Sequence, residues 1–289
     1  MTSLPIYTYR CNLCQSEDIE KIHSGTRGNN DVDVLRCKNC GLVFLSTFEH
    51  LKDDFYEDGG MRENATVTDM GVATDKTDTL RRITALSGYY DGKDILDFGC
   101  GRGSFIALAK NYAKSVSGVE IEKSVVNELR EKGFQIENNI RNFNKKFDLI
   151  TMFHVIEHFT DPVEWLKEVS SYLTKDGYLI IETPNANDAL LSLYDCSAFA
   201  DFTYWQCHTF LFTSETLRQT AEKAGLEIVW NRQIQRYSPA NHMYWLSKGK
   251  PGGHKIWSML DSDVLTKEYE NMLQKNKICD TLFMCTKIK

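Results

Sequence analysis

The 289-residue sequence predicts an α/β fold: a largely parallel sheet wound with helices and preceded by a small cysteine-held ribbon. Three observations predict it. Short apolar strands alternate with amphipathic helices from about residue 91 to residue 234. The run Ile95-Leu96-Asp97-Phe98-Gly99-Cys100-Gly101-Arg102-Gly103-Ser104-Phe105 reads as a buried strand, a glycine-rich turn and a helix start. Cys11-x-x-Cys14 and Cys37-x-x-Cys40 form two knuckles separated by 22 residues.

Composition narrows the class. Hydrophobic residues make up 42% of the chain, ordinary for a globular protein. No apolar run approaches the ~20 residues of a membrane helix, and the N-terminus lacks a basic-then-apolar leader. Nine cysteines without an export signal point to reduced thiols and a cytoplasmic protein. A net charge of −6 counts against binding nucleic acid mainly through its phosphates.

The elements follow in order. Residues 1–50 are expected to form a zinc ribbon with Cys11, Cys14, Cys37 and Cys40 as ligands. A segment this short buries little core, so a metal would supply folding free energy. Redox dithiols are the competing reading, but a redox C-x-x-C opens a helix in a thioredoxin-like unit, and none is visible. The strand-like stretches 19–22 and 32–36 fit a β ribbon of nearly balanced charge. Its role stays open among shaping a substrate site, making a homodimer and acting as a folding clip. Residues 51–90 read as a polar linker or cofactor lid, helical around Thr79 to Ser87. Tyr56, Arg81 and Arg82 there are candidates to reach a ligand, with solvated helix charges the plainer reading.

Residues 91–289 form the main domain. Its strands are expected at 94–98, 116–120, 134–137, 147–152, 177–182 and 226–234, and a last one at 280–288. Helices are expected from Arg102, at 123–132, at 162–173 and at 213–224. Asp161 is a natural N-cap before Pro162 at the first helical turn, and Gly225 stops the helix ending at Ala224. Two segments, about 184–212 and 237–278, are longer than loops need to be and are expected to serve a substrate.

A G-x-G-x-G turn alone is shared by nicotinamide, flavin and S-adenosylmethionine (SAM) binders. Here Asp97 sits two residues before the first glycine, and the second strand ends in Glu120, an acid suited to two ribose hydroxyls. The pattern L-D-x-G-C-G-x-G resembles motif I of the class I SAM-dependent methyltransferases. The segment F-D-L-I-T-M-F-H-V-I-E-H-F-x-D-P (147–162) resembles the matching part of small-molecule methyltransferases such as those of ubiquinone biosynthesis. The resemblance implies a Rossmann-like seven-stranded sheet whose final strand is antiparallel. It implies that Asp97, Gly99, Gly101 and Gly103 surround the cofactor turn, with the methionine end of SAM against the first three. Glu120 would hold the ribose and Ile121 would flank the adenine. Asn138 stands where the family usually has an aspartate for the adenine amino group. Met152, Phe153 and His154 would line the far side.

His154-x-x-Glu157-His158 also matches the H-x-x-E-H of a class of zinc peptidases. That chemistry needs both histidines on one face of a regular helix, whereas this match follows directly on a strand end. Metal content would separate the readings: one zinc for the ribbon alone, two if this site also binds.

SAM carries its own electrophile, so the protein supplies alignment and dryness, and a base only where the acceptor must lose a proton. His154, after the fourth strand, and His208, in the 184–212 segment, are the candidate bases; His158 is expected to pack or cap. Phe199, Phe202, Tyr204 and Trp205 are either an aromatic wall for a sugar or base, or the buried face of a flap. The turn Lys248 to His254 is either a phosphate nest with Lys250 or a plain surface turn.

A cysteine ribbon joined to such a domain also resembles methyltransferases of bacterial polysaccharide and deoxysugar pathways. The sugar C-methyltransferases among them carry a further C-terminal domain that has no counterpart in these 289 residues, so the resemblance implies O- or N-methylation of a small acceptor, a nucleotide-linked sugar or glycan precursor. Two alternatives remain: a methyltransferase on RNA or protein that uses the ribbon for recognition, and a non-catalytic SAM-binding or zinc adaptor.

Overall fold

A computed structural model describes residues 9–51 and 69–289, so Tyr56 lies outside the described residues. The N-terminal segment forms β1 (Ile19–His23), β2 (Val34–Cys37) and β3 (Val43–Leu45), followed by helix α1 (Asp69–Ala85). The alternating region gives β4 (Asp94–Phe98), α2 (Ser104–Ala109), β5 (Ser115–Val119), α3 (Lys123–Glu131), β6 (Gln135–Glu137), β7 (Phe147–Phe153), α4 (Pro162–Ser170) and β8 (Leu173–Pro184). The first long segment holds α5 (Ala189–Ser192), α6 (Ser197–Thr203) and β9 (Phe210–Leu211). Helix α7 (Ser214–Lys223) and β10 (Leu226–Ile234) follow. The second long segment is helical, with α8 (Pro239–Lys248), α9 (Gly253–Ile256) and α10 (Asp263–Asn276), and β11 (Thr281–Ile288) closes the chain.

Seven strands make one sheet in the order β10-β11-β8-β7-β4-β5-β6. β8, β7, β4, β5 and β6 run parallel, while β11 lies antiparallel between β8 and β10. This is a Rossmann-like sheet with an inserted antiparallel last strand, as the sequence predicts. The central strands are buried on both faces: Ile95, Leu96, Leu149, Ile150, Ile180 and Ile181 expose nothing.

Several boundaries differ from the sequence reading, among them β8, which begins at Leu173 rather than 177, and β5, which ends at Val119, one residue before Glu120. Helix α4 stops at Ser170 rather than at 173, because Leu173 is core and pairs with Phe147 as the first residue of β8. Helix α2 starts at Ser104 rather than Arg102, since Gly103 occupies the N-cap with φ of 77°. Helix α1 begins ten residues before the predicted Thr79. Helix α7 carries a capping box, with Thr213 and Thr216 each serving the other's backbone N–H.

The ribbon is completed from far along the chain. Its sheet runs β1-β2-β3-β9, so Val43 and Phe44 pair with Leu211 and Phe210 of the first long segment. Arg27 forms a further bridge with Trp205. Cys11, Leu13, Leu35 and Phe44 share one apolar core with Phe210, Phe212 and Leu217. Burying such side chains contributes about 1.5–3 kcal/mol each, so the ribbon is packed as part of the main body. β3 and β9 are too short to show a period in sequence.

Candidate functional site

The glycine turn after β4 contains three glycines with left-handed φ, and their surroundings differ. A Cβ on Gly99 would stand 2.4 Å from Val155 Cγ2, and one on Gly103 2.7 Å from Leu129 Cδ2. Those two are glycine because protein packs against them. Gly101, at φ of 49°, has no atom within 4 Å of where its Cβ would be, leaving room for a ligand against the backbone. The Gly101 N–H donates to Glu120 Oε2 (2.9 Å), while the Ile121 and Glu122 N–H groups donate to Oε1 (2.8 and 3.0 Å). Glu120 is thus fixed at the end of β5 with lone pairs to spare. Ile121 beside it is 40% exposed, an apolar surface with no protein cover.

Asp97 is buried, and Thr151 Oγ1 donates to its Oδ1 at 2.7 Å. Burial pushes its carboxyl up to about 7, although Thr151 and Arg82 pull the other way. Phe153 packs edge-on against Phe105 and lies under the Arg82 guanidinium, 4.4 Å from the ring centre. The Met152 side chain is fully buried in the core and offers a ligand no surface. Asn138 is exposed after β6, where its Oδ1 accepts from Asn142.

Val155, which closes on Gly99, adjoins His154, and His154 lines a cavity of about 240 Å³. Both long segments wall this cavity. The first supplies Asn185, Asp188, Phe199, Phe202 and His208; the second supplies Tyr237, Asn241, His242 and Trp245. Phe199 and Phe202 meet Trp245 with ring centres 5.2 Å apart. Tyr204 and Trp205 are buried instead, Tyr204 in the ribbon core and Trp205 under the Arg27 guanidinium. The four aromatics of that segment therefore divide between cavity and packing. The Lys248 to His254 turn does not form a phosphate nest. Its Gly252 N–H donates to Asn241 Oδ1, Gly253 fits tightly against the Ala240 carbonyl, and Lys250 is exposed.

His154 is held in the left-handed region, φ 57°, with its N–H donating to the Glu182 carbonyl (2.8 Å). Its Nδ1 lies 3.2 Å from Glu157 Oε1 and its Nε2 2.7 Å from Arg236 Nη1. A guanidinium only donates, so these partners assign a neutral ring carrying its proton on Nδ1. Burial lowers the proton affinity of the ring, but the Glu157 and Glu182 carboxylates outweigh it and hold the pKa above its ordinary value. His208 lines the same cavity in the opposite electrostatic state: burial drives it down to about 3. A ring that weakly basic is a poor proton acceptor, whereas the carboxylates beside His154 favour its taking a proton. His158 donates from Nδ1 to the Cys207 carbonyl (2.8 Å).

Behind His154 lies an ionic network the sequence did not disclose. Glu182 has no exposed side-chain surface, and it accepts from Arg81 (2.9 Å) and Arg82 (2.6 Å) of α1. Arg236 faces Asp78 at 3.3 Å, and its N–H donates to Asp280 Oδ2 at 2.8 Å. Arg81 and Arg82 thus serve Glu182 rather than water. The only signal in the sequence was two adjacent arginines on a helix; no spacing rule links them to an acid 100 residues on.

In the ribbon the four cysteine Sγ atoms lie within 4.8 Å of one another, with Cys11–Cys40 and Cys14–Cys37 both at 3.5 Å. That is too long for a disulfide and close to the sulfur–sulfur edge around a tetrahedral ion with ~2.3 Å bonds. No described helix is long and apolar enough to cross a membrane.

A family profile described as a methyltransferase domain matches residues 74–230. The chain is 28% identical over 173 residues to a ubiquinone biosynthesis O-methyltransferase of Coxiella burnetii, covering 54% of this chain and 73% of that protein. Against the same-named protein of four other Coxiella strains it spans 45% of their length. Among solved structures, the magnesium protoporphyrin IX methyltransferase of Synechocystis, with bound SAH, superposes with a TM-score of 0.52 at 14% identity, covering 83% of this chain and 99% of that one. A SAM-dependent methyltransferase from Archaeoglobus fulgidus gives 0.50 at 22% identity, covering 73% and 94%.

Proposed function

The chain belongs to the methyltransferase domain family, and we propose that it transfers the methyl group of SAM to an oxygen or nitrogen of a small polar acceptor seated beside His154. The observation that carries this reading is the single-residue step from the glycine turn to the cavity: Gly99 touches Val155, and the next residue, His154, lines the acceptor wall. SAM supplies a methyl group on a sulfonium, already activated for displacement. Gly101 gives it room, Glu120 holds the ribose hydroxyls, and Ile121 offers an apolar surface to the adenine. His154 presents its Nε2 to the cavity, where an acceptor hydroxyl replacing Arg236 would surrender its proton.

The cavity favours a polyhydroxylated ring. The lining combines the aromatic side chains of Phe199, Phe202 and Trp245 with the polar Asn185, Asp188, Asn241 and Arg236, a mixture of apolar surface and polar groups that suits a sugar. We therefore read the acceptor as a sugar or glycan precursor, nucleotide-linked or free. The relatives named for ubiquinone biosynthesis make a phenolic acceptor the competing reading. We read the four thiolates as a structural zinc site, and the shared core and strand β9 as support for a ribbon that shapes the domain rather than one that recognises RNA or protein.

The test is transfer of label from methyl-labelled SAM by the purified protein into separated pools of sugar nucleotides, phenolic quinone precursors, RNA and protein. Label in the sugar pool supports the reading and label in the phenolic pool replaces the acceptor. Label in RNA or protein overturns the small-acceptor assignment, and binding of SAM without transfer overturns the enzyme reading.

A further inference from the structure

We propose that Glu157, His158 and His208 form a second zinc site, with His208 at the wall of the acceptor cavity and the other two behind it, separate from the ribbon cysteines. One donor atom from each residue lies within 4.8 Å of the other two. A tetrahedral zinc with bonds of ~2.0–2.2 Å sets its donors about 3.3–3.6 Å apart, so the donor atoms draw in by up to about 1.5 Å. Two imidazoles and a carboxylate are a zinc ligand set that leaves a fourth position open.

The surroundings are built for ligation in three ways. His158 donates its Nδ1 proton to the Cys207 carbonyl at 2.8 Å, which fixes the tautomer with the lone pair on Nε2. Thr183 Oγ1 donates to Glu157 Oε2 at 2.9 Å, orienting a carboxylate that has no access to solvent. Thr209 Oγ1 donates to the Glu157 and Phe159 carbonyls, at 2.9 and 2.7 Å, and ties the loop bearing His208 to the turn bearing the other two ligands. Against this background the buried Nδ1 of His208 has no hydrogen-bond partner among the described residues. A buried ring nitrogen without a partner is costly, and an ion would relieve it.

This arrangement uses two of the three residues of the H-x-x-E-H motif and leaves out His154. Residues 156–158 form a single 3-10 turn rather than a regular helix, so the two histidines of the motif do not share a helical face. His154 turns instead to Glu157 and Arg236, and His208 takes the third ligand position from another part of the chain.

The experiment measures zinc per chain on the full-length protein, equilibrated with micromolar zinc and desalted, by plasma mass spectrometry. The readout is the difference between wild type and His208→Phe, which keeps an aromatic ring against His158 and Trp205. A loss of one zinc per chain is expected whether or not the ribbon cysteines hold their own ion. Cobalt replacing that zinc should lack the intense thiolate charge-transfer band of a cysteine site. His158→Gln, with SAM affinity as the check on folding, should lose the same ion. Equal zinc in wild type and both variants overturns the proposal, as does a lost ion whose cobalt form shows thiolate bands.

Discussion

The Arg82 guanidinium donates to the Glu182 carboxylate across 2.6 Å while lying 4.4 Å above the ring of Phe153. Helix α1 is thereby fastened to the C-terminal end of β8, beside His154 and the cavity it lines. Arg81 binds the same carboxylate and reaches back to Asp78, which faces Arg236. A buried charge network of this kind is weak evidence of net stabilisation, but breaking it on one side is costly.

Glu182→Ala should therefore destabilise the protein by about 3–5 kcal/mol, because two arginines lose a partner inside the fold. Burial by itself would raise the Glu182 carboxyl, but the His154 ring and the charges of Arg82 and Arg81 hold it well below its ordinary 4.5. A depressed native pKa means stability that is complete above about 4.5 and lost as pH falls below it. Urea unfolding at pH 7 and at pH 4 measures both effects. A variant within 1 kcal/mol of wild type at pH 7 would show the network to be unimportant.

The glycines of the turn should separate by phenotype. Gly99→Ala places a methyl group 2.4 Å from Val155 at φ of 76°, so it combines left-handed strain with overpacking, together about 2–4 kcal/mol. Gly101→Ala meets no protein atom and should cost only the ~1–2 kcal/mol of left-handed backbone. Its larger effect should fall on SAM affinity, by tenfold or more in a calorimetric titration. Comparable SAM binding by Gly101→Ala and wild type would move the cofactor away from this turn.

Asp97 gives SAM binding a pH dependence. Its carboxyl is pushed up to about 7, and a bound sulfonium and amino group would draw it down. Binding then requires loss of a proton below about pH 7, and affinity should fall by up to tenfold per pH unit as pH drops from 7 toward 5. Asp97→Asn, isosteric with the native residue, should bind SAM more weakly at pH 8 and with a flat profile. A flat wild-type profile would place Asp97 out of electrostatic reach of the cofactor.

The legibility of this chain tracks the range of each signal. Motif I, Glu120 and the strand-helix alternation are local patterns, and β4, β5 and the antiparallel β11 fall where those patterns put them. The thiol cluster was legible for the same reason, since C-x-x-C knuckles encode their own turn. The pairing of β3 with β9 and the joining of Glu182 to Arg81 and Arg82 depend on segments 100 or more residues apart, and no residue type at either end announces the other. His154 and His208 looked alike in sequence, as histidines near strand ends. Their opposite proton affinities arise from Glu157 and Glu182 on one side and an apolar, histidine-rich wall on the other.

That contrast makes the role of His154 measurable. For a hydroxyl acceptor, a base of raised proton affinity at the cavity wall should show as a rising limb in the pH profile, with its midpoint above the ordinary histidine value of 6.5. His154→Asn, which also tolerates the left-handed backbone at this position, should lower kcat by about 10²–10⁴ and abolish that limb. SAM affinity should stay within a few-fold, because the ring faces the acceptor rather than the glycine turn. The Arg236 contact at 2.7 Å adds a second signature. With the imidazole removed, the Arg236 guanidinium keeps Asp78, so Arg236→Lys in the His154→Asn background should change kcat less than it does in wild type. A His154→Asn enzyme with unchanged kcat and an intact rising limb would assign the proton to water or to the acceptor itself, leaving His154 as a wall of the cavity and Arg236 as its support.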